Sequence, residues 1–184
     1  SKRAFLYLIP LFIIKNIFDR KEKGLYGLKL GNFNLRPYFI MLLIMLPLIG
    51  WASFQSDFLN TYPKLRLWGM EEVFNLNRWQ MTGVFEFFYG TDFIFVELIF
   101  RGALVVGLVK ILGKDAILPM VAAYSFLHFG KPLAEAISSI FGGYILGVIA
   151  LYSKNILGGC VIHIGIAYLM ELFAILQYYV FISY

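Results

Sequence analysis

The sequence predicts an all-α protein, a polytopic transmembrane bundle of about six spans with one short, broken helix, and three observations carry that expectation. Of the 184 residues 60% are hydrophobic and only 15% charged, whereas an ordinary soluble domain carries about 25% charged residues. Mean hydropathy is +0.76. The apolar residues fall in runs at about 4–18, 37–54, 82–112, 116–129, 134–153 and 155–182, without sustained period-two alternation. In lipid the backbone finds partners only within a helix or a closed barrel, so these runs read as helices.

The first run, "FLYLIPLFII", is followed by no small-residue cleavage site and reads as a helix rather than a cleavable signal. The loop after it holds Arg20, Lys21, Lys23, Lys29 and Arg36, the densest basic stretch, and by the positive-inside rule it is cytoplasmic. Threading onward puts Lys110, Lys114 and Lys154 on the same side. Residues 55–80 then form an extracytoplasmic loop, with Lys64, Arg66 and Arg78 set against Asp57, Glu71 and Glu72. Trp68 and Trp79 at the two ends of "LWGMEEVFNLNRW" predict an interfacial helix there. The fourth run offers only about 13 residues, roughly 20 Å, before "HFGKP" breaks it, too short for a hydrocarbon core of about 30 Å. Its turn should lie below the surface, with Lys131 and Glu135 facing a cavity rather than lipid. Ser139, Gly143 and Gly147 in the fifth run form a four-residue stripe suited to close helix packing.

The chain thus reads as a single transmembrane domain over 1–184, with its core at about 82–175. Its standing partner is the lipid bilayer, and the localisation is a multi-pass one in a cytoplasmic (inner) membrane. The net charge of +5 lies between apolar runs rather than on one patch, which argues against nucleic acid. The single Cys160 rules out an internal disulfide and a multi-cysteine metal site.

Ionisable residues inside the apolar runs need a reason, because each costs about 2.5–3.5 kcal/mol at a bilayer centre. Glu97 and Arg101 stand four apart in "FIFVELIFRGALVVGL" and can pair. His128 and His163 fall on the fourth and sixth runs at a similar depth, so three helices bring a carboxylate and two imidazoles to one level. These groups are expected to share a water-accessible hollow. Glu86 lies almost three turns before Glu97 on the same face. Asp92 reads as a structural residue bonded to a neighbouring helix, and Glu171 stays ambiguous.

"VELIFRG", "YSFLH" and "HIGIA" resemble, in order and spacing, the three motifs of the CAAX protease and bacteriocin-processing family of intramembrane proteases, also called Abi or CPBP. The family pattern is Glu-Glu-x-x-x-Arg, Phe-x-x-x-His and His-x-x-x-Asn or Asp. Here Val96, Tyr124 and Ala167 replace the first glutamate, the phenylalanine and the final polar residue. The resemblance implies a water activated by a glutamate and a histidine, with no metal or other cofactor. Carried over, His128 is the water-activating histidine and His163 the oxyanion donor, alone or helped by Tyr168, while Glu97 matches the second glutamate. Glu135 is the other carboxylate that could serve as base. Glu97, His128, His163 and Glu135 are therefore the catalytic candidates, supported by Arg101, Tyr124, Lys131 and Glu86. A weaker alternative makes Glu97, His128 and His163 ligands of a divalent metal.

The function expected is an intramembrane endopeptidase that hydrolyses a peptide bond in a peptide or protein substrate. The alternative is a catalytically degenerate pseudoprotease serving as a scaffold or partner subunit of a membrane complex. A proton-relay transporter is a third reading, weakened by the lack of repeated halves.

Overall fold

A computed structural model describes residues 2–20, 24–29, 34–65 and 73–178. Each of the six apolar runs contains a helix, and among the described residues there is no β-strand, only an isolated bridge between Leu25 and Leu28. The α-helices of six residues or more are α1 (Lys2–Phe18), α2 (Arg36–Ala52), α3 (Ser56–Thr61), α4 (Arg78–Glu97), α5 (Ile117–Phe126), α6 (Leu133–Ser153) and α7 (Leu157–Gln177). Two of them, α6 and α7, are long and apolar enough to cross a membrane by length and composition. Residues 67–72 of the expected interfacial helix lie outside the described residues.

Local chemistry sets the helix starts. Pro37 occupies the first turn of α2, where a missing N–H costs nothing. Asn77 and Gln80 form a reciprocal capping box at the start of α4. Gly130, at φ +85°, and Pro132 close the turn that stops α5 and starts α6, so the short fourth helix takes the form expected of "HFGKP".

One departure from simple helix periodicity bears on function. From Leu98 to Gly107 the chain leaves the α-helix for a π-helix, which carries Arg101. Such wider turns occur as a rule in single bulges, frequently at functional sites. The widened segment presents Gly102 and Gly107 to Tyr26, which lies between α1 and α2. A Cβ on Gly102 would stand 2.8 Å from the Tyr26 carbonyl oxygen, and one on Gly107 3.0 Å from its ring. Tyr26 is itself 2% exposed and donates its hydroxyl to Asp19.

Close backbone approach also builds the rest of the bundle. Gly143 and Gly147 of α6 face Tyr124 and Met120 of α5, so the small-residue stripe is a packing seam. Gly158 and Gly165 of α7 receive Tyr38 and Leu42 of α2. Phe100, Val105, Ile117, Met120, Val121, Tyr124 and Leu151 form the cluster that holds the π-helix, α5 and α6 together. The outer faces keep large apolar side chains uncovered, among them Leu43, Phe87, Phe141 and Leu172, as a lipid-facing surface requires.

Candidate active site

Glu97 closes α4, and its carboxylate lies entirely inside the protein. Two donors from different directions meet on one oxygen. Arg101 Nη1 donates to Glu97 Oε1 at 2.9 Å, and His163 Nδ1 lies 3.0 Å from the same atom. A carboxylate paired with a guanidinium has no proton to offer, so Nδ1–H of His163 is the donor. That fixes the neutral imidazole as the tautomer with a bare Nε2. At 3.4 Å from Nε2 stands the hydroxyl of Tyr124, on α5, which donates to it.

The group is tightly stacked. The Arg101 guanidinium lies 4.1 Å from the Tyr124 ring centroid. His128, in the turn after α5, packs on the same ring at 4.7 Å and gives its Nδ1–H to the Tyr124 carbonyl oxygen at 3.1 Å. Phe93 covers His163 at 4.5 Å. Glu97, Arg101, Tyr124 and His163 therefore form one connected network, and His128 joins it through Tyr124 rather than through Glu97.

The water-accessible hollow expected to be shared by Glu97, His128 and His163 is not what the described residues form. Glu97 and Arg101 have no exposed surface, while the His163 side chain keeps 13%. Three atoms of the group lack a hydrogen-bond partner, Glu97 Oε2 and Arg101 Nε and Nη2, as does Ser125 Oγ on α5. Buried orphans of this kind are rare and concentrate where a structure serves something besides packing. Glu97 Oε2 rests against the backbone of Gly159 on α7, where any Cβ would collide with it. Gly159 was not among the candidate residues. Its signal was there in "GGC" inside an apolar run, since a glycine in a helix interior costs about 1 kcal/mol against alanine and so points to close approach.

Glu135 and Lys131 form a second hydrogen-bonded group, close enough to His128 for both charges to act on it. Lys131 Nζ donates to Glu135 Oε1 at 2.6 Å, and the Tyr62 hydroxyl donates to Oε2 at 2.8 Å. Burial, then the negative charge of Glu135, pushes the Tyr62 hydroxyl above its ordinary value, so it remains a donor. The same stretch is tied down twice more. Leu133 N donates to Asp57 Oδ2 at 3.1 Å, and Lys64 N donates to both oxygens of Glu171 at 2.9 Å. Residues 56–65 thus make a strap across the starts of α5's partner helix α6 and the far end of α7, and Glu171 is its anchor. Lys131 and Glu135 line that strap rather than the Glu97 group.

Other expectations are corrected here. Tyr168 gives its hydroxyl to the Glu86 carbonyl oxygen at 2.8 Å over Gly90 rather than to His163. Glu86 is half-buried with Oε2 unpartnered, and Asp92 Oδ1 has no partner on a neighbouring helix. Among the described residues no three His, Cys, Asp or Glu side chains converge as metal ligands. Glu97, His128 and His163 are not such a set: His163 lies on Glu97, whereas His128 packs on Tyr124.

Neither the curated proteins nor the solved structures contain a match to the chain. A family profile does match, over residues 77–169, which cover α4, the π-helix, α5, α6 and most of α7. Its description is type II CAAX prenyl endopeptidase Rce1-like, and the matched span holds Glu97, Arg101, Tyr124, His128 and His163. The chain, an all-helical and membrane-embedded one, belongs to the Rce1-like family of CAAX-type endopeptidases.

Proposed function

We propose that the chain is a multi-pass intramembrane endopeptidase that hydrolyses a peptide bond of a CAAX-type, lipid-modified substrate with a water activated at the Glu97–His163 pair. The observation that carries this reading is the Nδ1–Oε1 contact of 3.0 Å in a group whose accessible member is the imidazole. Glu97 is too enclosed to meet water itself, so it acts through His163, orienting the ring and balancing the charge the ring gains. The bare Nε2 takes a proton from water as the water oxygen bonds to the scissile carbonyl carbon. The C–N bond then breaks, and Nε2–H returns that proton to the leaving amine. This reverses the role carried over for His163, because an imidazole that spends its one N–H on Glu97 has none left for an oxyanion. A wholly apolar groove of about 480 Å³ between Phe39 and Leu42 of α2 and Leu157, Cys160, Val161 and Ile164 of α7 supports a substrate with a lipid chain.

The test offers the detergent-purified protein a C-terminal CAAX peptide in farnesylated and unmodified forms. Cleavage of the farnesylated peptide is expected, with His163→Ala and Glu97→Gln each losing about 10³-fold in kcat. Full activity in His163→Ala together with none in His128→Ala would move the base to His128. The complete burial of Glu97 and Arg101, with Val96 and Ala167 at motif positions, favours a second reading as a pseudoprotease scaffold. An inactive wild type that retains membrane partners in a native pull-down, in all these variants alike, supports that reading.

A further inference from the structure

The turn at residues 25–28 lies ahead of the matched span 77–169, so the family match assigns it no part in the site. Both of its central residues take positive φ, Tyr26 at +42° and Gly27 at +85°, and Leu28 N closes it onto Leu25 O at 2.9 Å. Glycine adopts that conformation freely, but a tyrosine in it is strained and persists only where its surroundings hold it. Against it lies the π-helix of ten residues, a second conformation uncommon at such length. Two locally unfavourable segments therefore meet, and the meeting suits the π form. The Tyr26 carbonyl oxygen rests on Gly102 and its ring on Gly107. In an α-helix residues five apart point about 140° away from each other, whereas the i→i+5 bond of a π-helix sets them one turn apart. The ring and its own backbone reach both glycines together because 102–107 keeps the wider turn. We infer that Tyr26 is a positioning residue: its docking on Gly102 and Gly107 holds residues 98–107 in the π form and so sets the bearing from which Arg101 reaches Glu97 and Tyr124.

Arg101 is the residue next to Gly102, and the bearing of its side chain depends on how the backbone winds after Glu97. A wider turn rotates the chain less per residue, so a change of winding swings Arg101 around the helix axis. In the π form its Nη1 meets Glu97 Oε1 at 2.9 Å while the guanidinium lies 4.1 Å from the Tyr124 ring centroid, with no surface exposed. The turn grips the other wall of the site as well. Gly27 O accepts from Ile156 N at 3.0 Å, and Asn155 Nδ2 donates to Lys29 O at 3.2 Å. Ile156 is fully buried just ahead of α7, three residues before the Gly159 that abuts Glu97 Oε2. Tyr26, Leu98, Ile156 and Cys160 pack in one cluster with Leu11 of α1. The Tyr26 hydroxyl, bonded to Asp19 at 2.9 Å, ties the ring to the chain just past α1. One small turn thus fixes the π-helix and the start of α7 relative to each other, and with them the group around Glu97. A site held by such supporting contacts keeps its geometry without reorganisation.

The effect on rate rests on the hydrolase reading, and on neither histidine in particular, so the experiment reads geometry and rate separately. Tyr26→Ala and Tyr26→Phe are compared with wild type in detergent on the farnesylated peptide. Loss of the ring should lower kcat by about 10²-fold with KM within twofold, as a displaced reacting group does. Tyr26→Phe keeps the ring and should stay within threefold of wild type. Gly107→Leu leaves Tyr26 in place but fills its seat; it should match Tyr26→Ala, and it serves where that variant does not fold. The geometry is read from ¹⁵N spectra of arginine-labelled protein, with Arg101 identified as the signal missing from Arg101→Lys. In wild type the ion pair stops rotation about Nε–Cζ and keeps Nη1 and Nη2 distinct. The two signals should merge in Tyr26→Ala, which a loss of stability elsewhere in the bundle would not produce. A kcat within threefold of wild type in Tyr26→Ala, an equal loss in Tyr26→Phe, or Arg101 signals that stay distinct without the ring overturns the inference and leaves the hydrolase reading intact. A wild type that cleaves nothing overturns the hydrolase reading, and the Arg101 signals then decide this one alone.

Discussion

The molecule holds buried carboxylates in two places and treats them in opposite ways. In the strap, Glu135 has a partner on each oxygen and Glu171 takes a backbone N–H on both. Glu135 Oε2 and both oxygens of Glu171 tie one chain segment to another. In the α4–α5–α7 network, Glu97 crowds two donors onto Oε1 and leaves Oε2 bare, and Arg101 has two idle nitrogens. A carboxylate meant only to fasten helices would spread its bonds, since each unsatisfied buried group costs about 1–3 kcal/mol. The contrast sets the Glu97 group apart from the strap, and Glu86 and Asp92 share with it a buried oxygen that has no partner.

The sharpest way to break the comparison is Arg101→Met. It leaves the Glu97 carboxylate buried without its cation, and unfolding in detergent should show a loss of about 3–5 kcal/mol. A loss under 1 kcal/mol would mean that the network is not closed as described. Gly159→Ala comes next: the added methyl lands on Glu97 Oε2, and a cost of about 1–3 kcal/mol in the same denaturation experiment is expected, with cleavage impaired because the carboxylate must shift. Tyr62→Phe tests the strap. It should lower stability by about 1 kcal/mol through its bond to Glu135, yet leave kcat on the farnesylated peptide within threefold of wild type. A large fall in kcat would erase the distinction between the two regions. Lys131→Ala closes the series at about 0–1 kcal/mol, because the pair it forms with Glu135 is partly exposed.

Much of this was legible in the residues. Run lengths located the helices, "HFGKP" marked the broken one, and the i,i+4 spacing of Glu97 and Arg101 announced their pairing. What could not be read was the choice of imidazole. His128 and His163 sit at similar depth, and depth says nothing of which way a ring faces across a bundle. Glu135 likewise looked like a cavity residue because its partner, Tyr62, lies 73 positions away on another segment. Gly159 and the π-helical turn were signalled by glycines whose meaning depends on what approaches them.

By itself the sequence determined the helical class, the positions of the segments and the local ion pair, since each follows from apolar spacing and neighbouring side chains along one helix. Only the tertiary structure decided that Glu97 meets His163, that Tyr124 stands at Nε2, and that Glu135 belongs to a strap. Those pairings depend on how helices rotate and close against one another, and that geometry is set by packing at Gly102, Gly143, Gly158 and Gly159 rather than by any property of the paired residues themselves.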